Sequence, residues 1–211
     1  EWRKEWEVDS ILTWKAPEVL IKYYPVGFSG YDKDGFPVWI IPYGRGDMRG
    51  LLHSCQKRDY IRYTIQVLEQ SLEDMRDKSK KWGRPINRQS CIFDLENFSI
   101  KNVTWKPAMD VILQLVQIYE VNYPEILKHA LVINAPKIFT AAYALIKPFM
   151  DEVTMSKVRI FGRTGWQEAL LEIMDPDQLP AHWGGSMRDP DGNPKCPSKV
   201  RFVFGHSNFR G

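Results

Sequence analysis

"ALVINAPKIFTAAYALIKPFM", residues 130–150, joins two hydrophobic patterns end to end. "ALVINAP", 130–136, opens on a short unbroken apolar run and stops at Asn-Ala-Pro, the mark of a strand buried on both faces. From Ile138 the spacing becomes helical. Ile138, Ala142, Leu145 and Phe149 form one stripe, and Phe139, Tyr143, Ile146 and Met150 form a second beside it. The remaining face, Thr140, Ala141, Ala144 and Lys147, is small and carries one charge. A surface helix ordinarily shows one apolar stripe and a charged back. This one has a double-width apolar face and almost no charged back.

The same alternation of strand and helix extends outward in both directions. "SCIFDLEN" at 90–97 and "SKVRIFG" at 156–162 read as further strands, and the "DKDG" turn at 32–35 leads into a strand-like run from Val38 to Tyr43. Between them lies a long helical segment, Ser54 to Lys81, with Ser54 as its expected N-cap and Tyr60, Ile61, Ile65, Leu68 and Leu72 as its inward stripe. "GRP" at 83–85 ends it. Thr104 is the expected cap of a second helix, with Met109, Ile112, Leu113, Val116 and Tyr119 recurring on one side until "NYPE" at 122–125 breaks it. "WQEALLEIM" at 166–174 gives a last helix, and Asp175-Pro176 a short final turn. Strand–helix repeated four times predicts an α/β fold with a mostly parallel sheet and helices on its faces.

Composition narrows the function classes. Of 211 residues, 44% are hydrophobic and 26% charged, an ordinary globular balance, while aromatics at 13% leave room for a large core or a large apolar pocket. The net charge of +3 does not argue for nucleic acid. No apolar run approaches the ~20 residues of a membrane span. Cys55, Cys91 and Cys196 are widely spaced and odd in number, so they form neither a disulfide framework nor a metal-ligand pair, and a reducing compartment is expected. The chain opens at Glu1 rather than Met, the expectation being a piece of a longer protein. "EWRKEWEVDSILTW" places Trp2 and Trp6 on one helical face in need of a partner. The tail alternates Val200, Phe202 and Phe204 with Arg201 and Val203, a strand-like end.

Motifs for chemistry are few. "GRGDMRG" at 44–50 misses the G-x-G-x-x-G dinucleotide pattern, with Arg49 in the sixth place, and reads as a plain loop. His53, His129, His182 and His206 lack local metal-ligand spacing. Asp94 and Glu96 close a strand, either as paired acids or as carboxylates capping a loop, with Cys91 in the same strand. "RDKSKKWGRPINR" at 76–88 sets cations around Trp82, read either as a helix C-terminus favoured by its dipole or as a contact for an anionic membrane. Thr154 and Lys157 are three apart and would share one side of a helical turn. A hydroxyl and an ammonium together suit a phosphate; the alternative is a cap and a solvated lysine.

Five stretches in order, "YDKDGFPV", "NYPEILKHALVINAPKIF", "IKPFMDEVTMSKV", "LPAHWGG" and "DPDGNPKC", resemble the CRAL-TRIO family of lipid-binding and lipid-transfer domains, over Pro17 to Cys196. The last two most resemble the animal branch that includes supernatant protein factor, also called tocopherol-associated protein. The resemblance implies a sheet flooring an apolar cavity, with Ile138 to Met150 as a mobile gate helix whose double apolar face covers both core and lipid. It implies a phosphoinositide headgroup site at Glu125, Thr154 and Lys157. At the positions of the family's choline-lipid site stand Phe28, Trp39, Gln89 and Cys91, without that site's hydroxyls, which favours a bulky ligand such as tocopherol, squalene or another isoprenoid. It further implies a cytoplasmic carrier, transiently at membranes, with no catalytic group, cofactor, metal or nucleic-acid partner. The corresponding domain scheme is 1–16 as the remnant of an N-terminal helical region, 17–186 as the lipid-binding domain, and 187–211 as a tail leading to a β-rich domain beyond the chain. A lipid-sensing module that binds a partner protein stands as the alternative, and an enzyme using Asp94, Glu96 and Cys91 as a third.

Overall fold

The computed structural model describes residues 1–99 and 104–200, so the tail strand expected from Val200 through Phe204 lies outside the described residues beyond its first member. Strands β1 (Gly27–Tyr31), β2 (Pro37–Ile41), β3 (Gln89–Asp94), β4 (Leu127–Ile133) and β5 (Val158–Ile160) form one sheet in sequence order. The β1–β2 pair is antiparallel and the other pairs are parallel, a mixed α/β sheet of mostly parallel strands. The "DKDG" turn joins β1 to β2. Its geometry is local chemistry: Asp32 Oδ1 accepts from the Asp34 and Phe36 N–H groups at 3.0 and 2.8 Å, and Gly35 takes the left-handed φ of 80°. The sequence reading missed β1, because Gly27, Ser29 and Gly30 have little strand propensity.

The helices are α1 (Trp2–Glu5), α2 (Glu18–Tyr23), α3 (Met48–Ser54), α4 (Lys57–Trp82), α5 (Lys106–Asn122), α6 (Phe139–Ile146), α7 (Glu152–Ser156) and α8 (Trp166–Ile173). Ser54 does not cap α4. It ends α3, the chain extends at Cys55, and α4 starts two residues later after Gln56. Asp47 supplies the cap instead, to α3, accepting from the Gly50 N–H at 2.8 Å, so "GRGDMRG" is a loop entering a helix. Thr104 likewise lies one residue outside the N-cap of α5, which is Trp105 with no side-chain capping bond. Gly83, at φ 64°, closes α4 as "GRP" predicted.

Strand alternation sends side chains to two faces with different fates. Val38, Ile40, Ile92, Leu131 and Ile133 point to one face and pack with Trp166, Ala169, Leu170, Met174, Leu179 and Trp183 from α8 and the turns after it. Each such aliphatic side chain, wholly removed from water, stabilises the fold by ~1.5–3 kcal/mol. A second cluster lies among the helices themselves, joining Trp6, Val8 and Ile11 to Leu20, Met48, Leu51, and the inward side of α4 and α5. There Trp2 stands edge-on to Tyr123 at 5.7 Å and Arg58 covers Trp6 at 4.9 Å, the partners that the N-terminal tryptophans lacked in sequence. Between the helices and the remaining sheet face the packing stops short.

Candidate lipid-binding site

A cavity of about 400 Å³ occupies that gap. Its floor is set by register. Trp39, Cys91, Ala130 and Val158 lie side by side across β2 to β5, and Ile41, Phe93 and Val132 form the next row. Thr64, Val67, Leu68 and Ser71 of α4 form one wall, and Met109, Ile112, Val116 and Tyr119 of α5 another. All of the α5 stripe read from sequence except Leu113 is therefore cavity lining, while the adjacent residues Ala108, Val111 and Ile118 are sealed in the core. A concave, mostly apolar space of this size is the general form of a small-molecule site.

The helix Phe139–Ile146 and the 3₁₀ turn Lys147–Phe149 lie over the cavity. Phe139, Ala142, Tyr143, Ile146 and Met150 line it, and Phe139 meets Phe98 edge-on at 5.8 Å. The other stripe does not cover core. Ile138, Leu145 and Phe149 are 50, 52 and 40% exposed on the outer side. Ala142 alone of that stripe turns inward, where it is 2% exposed and lines the cavity. The double apolar face thus covers cavity on one side and, among the described residues, is left exposed on the other.

Glu125, Thr154 and Lys157, expected as a headgroup site, all line this cavity. Asp151 caps α7, its Oδ1 accepting from the Thr154 N–H at 2.6 Å. The Thr154 hydroxyl then donates to Glu120 Oε2 at 3.3 Å, and the Asp151 N–H reaches the same oxygen at 3.4 Å. Glu125 sits in the left-handed region at φ 62°, at the turn that "NYPE" signalled. Glu120 is the residue that sequence reasoning missed. It follows Tyr119 at the end of the α5 stripe, and its charge there, one position off the apolar face, was the available signal. Burial pushes its carboxyl above the usual range, against the lowering effect of the Thr154 hydroxyl.

The remaining polar groups near the floor satisfy one another. Trp39 Nε1 donates to Ser71 Oγ at 3.1 Å, and Ser71 donates to Gln89 Oε1 at 2.6 Å. Of the four positions compared with a choline-lipid site, Trp39, Gln89 and Cys91 line the cavity, while Phe28 packs edge-on against Trp39 at 5.7 Å. Burial pushes the Cys91 thiol up to about 12, so it is no nucleophile near neutral pH. Asp94 serves the opposite face of the sheet. It accepts from Trp183 Nε1 at 2.9 Å, Asn134 Nδ2 at 2.8 Å and the Glu96 N–H at 2.9 Å. Glu96 pairs with Arg45. Asp94, Glu96 and His182 bring donor atoms within 4.8 Å of one another, but both carboxylates are committed to these structural contacts, the loop-capping alternative of the sequence reading. In the basic run, Lys78 lies over Tyr31 and Trp82 at 5.3 and 5.5 Å, and Arg84 over Trp82 at 5.6 Å.

Among the described residues no helix is long and apolar enough to cross a membrane. The fold is similar to the crystal structure of Sfh5, at a TM-score of 0.63 and 22% identity over 76% of this chain and 56% of that one. Among curated proteins the chain is 34% identical over 201 residues to protein real-time of Anopheles gambiae, and 32% identical over 203 residues to protein ctg-1 of Caenorhabditis elegans. Those alignments cover 93 and 96% of this chain but 29 and 52% of the relatives, so the chain spans about half their length or less. The family model for the CRAL/TRIO domain matches residues 21–185. With most of its length inside that match, the chain belongs to the CRAL/TRIO family, whose members are lipid-binding and lipid-transfer proteins rather than enzymes.

Proposed function

We propose that the chain takes up a hydrophobic lipid into the cavity under α6, carries it shielded from water, and exchanges it at a membrane surface. The observation that carries this reading is the two-sided character of α6 and the turn after it. Phe139, Ala142 and Ile146 line a cavity, while Ile138, Leu145 and Phe149 present apolar side chains outward. A lid that is apolar on both sides loses little when it leaves the cavity for the headgroup boundary of a bilayer, where its outer side chains are also buried. Opening then exposes the cavity to lipid rather than to water. The carrier works in the cytoplasm and meets membranes transiently.

Thr154, Lys157 and Glu125 form the headgroup end of the site in this reading. Lys157 supplies charge to a phosphate, Thr154 donates a hydrogen bond to it, and Glu125 accepts from inositol hydroxyls or orients Lys157. Glu120 competes, since its carboxylate shares the Thr154 hydroxyl. The candidate lipids are phosphatidylinositol and a neutral isoprenoid of the tocopherol or squalene kind.

Lipid extraction and mass spectrometry of the purified chain, beside a Thr154→Ala/Lys157→Ala variant, tests this. Phosphatidylinositol recovered from the parent and lost from the variant supports carrier and headgroup site together. A neutral isoprenoid recovered equally from both supports the carrier and retires the headgroup site. Absence of lipid from both, with failed loading from vesicles, sinks the carrier. The outer face of α6 would then belong to a partner protein.

A further inference from the structure

Six tyrosines line the cavity, and their hydroxyls do not all have the same use. The Tyr24 hydroxyl bonds Thr64 Oγ1 at 2.9 Å, Tyr43 donates to Met48 Sδ at 3.1 Å, and Tyr123 donates to Glu69 Oε1 at 2.6 Å. Tyr143 sits on the lid, half-buried. Tyr60 and Tyr119 remain. Neither hydroxyl has a hydrogen-bond partner among the described residues. Thr64, one turn along α4 from Tyr60, is already committed, donating to the Tyr60 carbonyl at 3.0 Å and bonding Tyr24.

These two phenols are also not sealed in protein. The side-chain polar atoms that are both enclosed and unpartnered belong to Trp2, Arg62, Ser90 and Trp166, none of which lines the cavity. Tyr60 is 4% exposed, its hydroxyl is not among the enclosed atoms, and the residue lines the cavity. Tyr119 keeps more free surface and also lines the cavity. Burial holds both phenols well above their ordinary value of 10, with Tyr24 a neighbour of each, so both are neutral donors at any physiological pH. Tyr24 packs against the Tyr60 ring at 5.3 Å. Phenylalanine would pack as well at both places. It is the oxygen atoms that packing does not explain.

A buried donor left without an acceptor costs ~1–3 kcal/mol. A pure hydrocarbon in this cavity leaves both donors in that state. A lipid with an oxygen among them relieves it. We propose that Tyr60 and Tyr119 form an oxygen-recognising subsite inside the cavity, which selects a lipid bearing a neutral hydroxyl, carbonyl or ether oxygen over a hydrocarbon of the same size. The inference rests on the reading that the cavity holds lipid. It narrows the ligand class from hydrophobic to oxygenated. It assigns the recognition to uncharged donors: Lys157 is the one cation among the described lining residues, and it belongs with Thr154 at the α7 end. The cavity volume of about 400 Å³ agrees with one ligand of ordinary small-molecule size.

The test pairs two probes with one carbon skeleton: phytol and its parent hydrocarbon phytane, each offered in phosphatidylcholine vesicles at equal mole fraction. Protein-bound probe is separated from vesicles and measured by mass spectrometry for the parent chain and for Tyr60→Phe, Tyr119→Phe and the double variant. The expected result is about tenfold preference for phytol in the parent, the ratio that 1.4 kcal/mol gives. Each single variant lowers it several-fold, and the double brings it within about twofold of unity with phytane uptake unchanged or higher. Equal uptake of the two probes by the parent overturns the subsite while leaving the carrier intact. So does a phytol preference that survives in the double variant. Failure of the parent to take up either probe overturns the subsite, and the lipid extraction described above then decides the carrier separately. Circular dichroism on each variant shows that it is folded, and if the double is not, the parent ratio and the single variants decide.

Discussion

Glu120 shows how one carboxylate sets the terms for the groups around it. Its oxygen accepts from both Thr154 and the Asp151 backbone, yet burial raises its pKa from 4.5. Asp151 across from it is held below its ordinary value, first by the Thr154 N–H, so Glu120 is the one of the two that takes up a proton first as pH falls. A carboxyl whose folded pKa is raised contributes stability in full below 4.5, and that contribution is lost as pH climbs through the folded value. At neutral pH the fold therefore carries a partly desolvated charge. Glu120→Gln removes the charge and keeps an oxygen for Thr154. The expected outcome is a thermal midpoint above that of the parent at pH 7, by no more than ~1 kcal/mol because the group is partly solvated. The difference should close as pH falls below the carboxyl range. Melting curves from pH 3.5 to 8 check this, and a difference that widens toward acid contradicts the assignment. The same variant should hold an anionic headgroup more tightly, since the competitor for the Thr154 hydroxyl has lost its charge.

At the scale of the element, α6 separates stability from transfer. Phe149 is 40% exposed, so Phe149→Asp should change folding stability by about 0.5 kcal/mol or less, the usual range for such a position. It should nevertheless cut vesicle-to-vesicle lipid transfer at least tenfold, because a charge on the outer face must be desolvated when the lid enters the bilayer. Ala142→Phe acts from the other side. Ala142 is 2% exposed and lines the cavity, so a ring there takes ligand volume, and lipid recovered per chain should fall by more than half while the sheet still forms. Sequence periodicity showed that α6 was apolar around most of its circumference. It did not show which stripe faced what, because that depends on the packing of α6 against the floor. The parallel strands were legible for a simple reason: β3 and β4 are covered on both faces and read as apolar runs. β1 was not, with two glycines in five residues and pairing supplied by β2. The α3–α4 break was hidden because Ser54 is a good cap by type, and only the chain path after it decides that it ends one helix rather than starting the next. Thr154 and Lys157 stood out by their spacing and Glu125 was added by resemblance, whereas Tyr60 and Tyr119 entered only as members of helical stripes. A hydroxyl facing a cavity and one facing a packed neighbour look the same in a sequence.

For the whole molecule, the sheet divides one finished core from one unfinished one. On the α8 side, Ile92, Leu131, Ile133, Leu170, Met174, Leu179 and Trp183 are at most 1% exposed, and Asp94 ties Trp183 and Asn134 to the end of β3. On the other side, Trp39, Cys91, Phe93, Ala130 and Val132 floor a space that protein atoms do not fill. Cavity walls lose the dispersion contacts that a packed interior supplies. A bound lipid restores them and, by mass action, stabilises the folded state by an amount that grows with its free concentration. The gain is not spread evenly. It belongs to the elements that touch the ligand, α5, α6 and the cavity side of α4, and not to α8. Hydrogen exchange on lipid-free and lipid-loaded protein should therefore show α6 and the 3₁₀ turn after it slowing by at least tenfold on loading, with α5 slowing less. Amides of α8 and of the turns through Trp183 should change by less than about twofold, because local opening there already costs as much as the packed core demands. Uniform slowing across both faces would mean that the sheet does not separate the two halves energetically. Slowing confined to α8 would place the ligand on the wrong side of the sheet altogether.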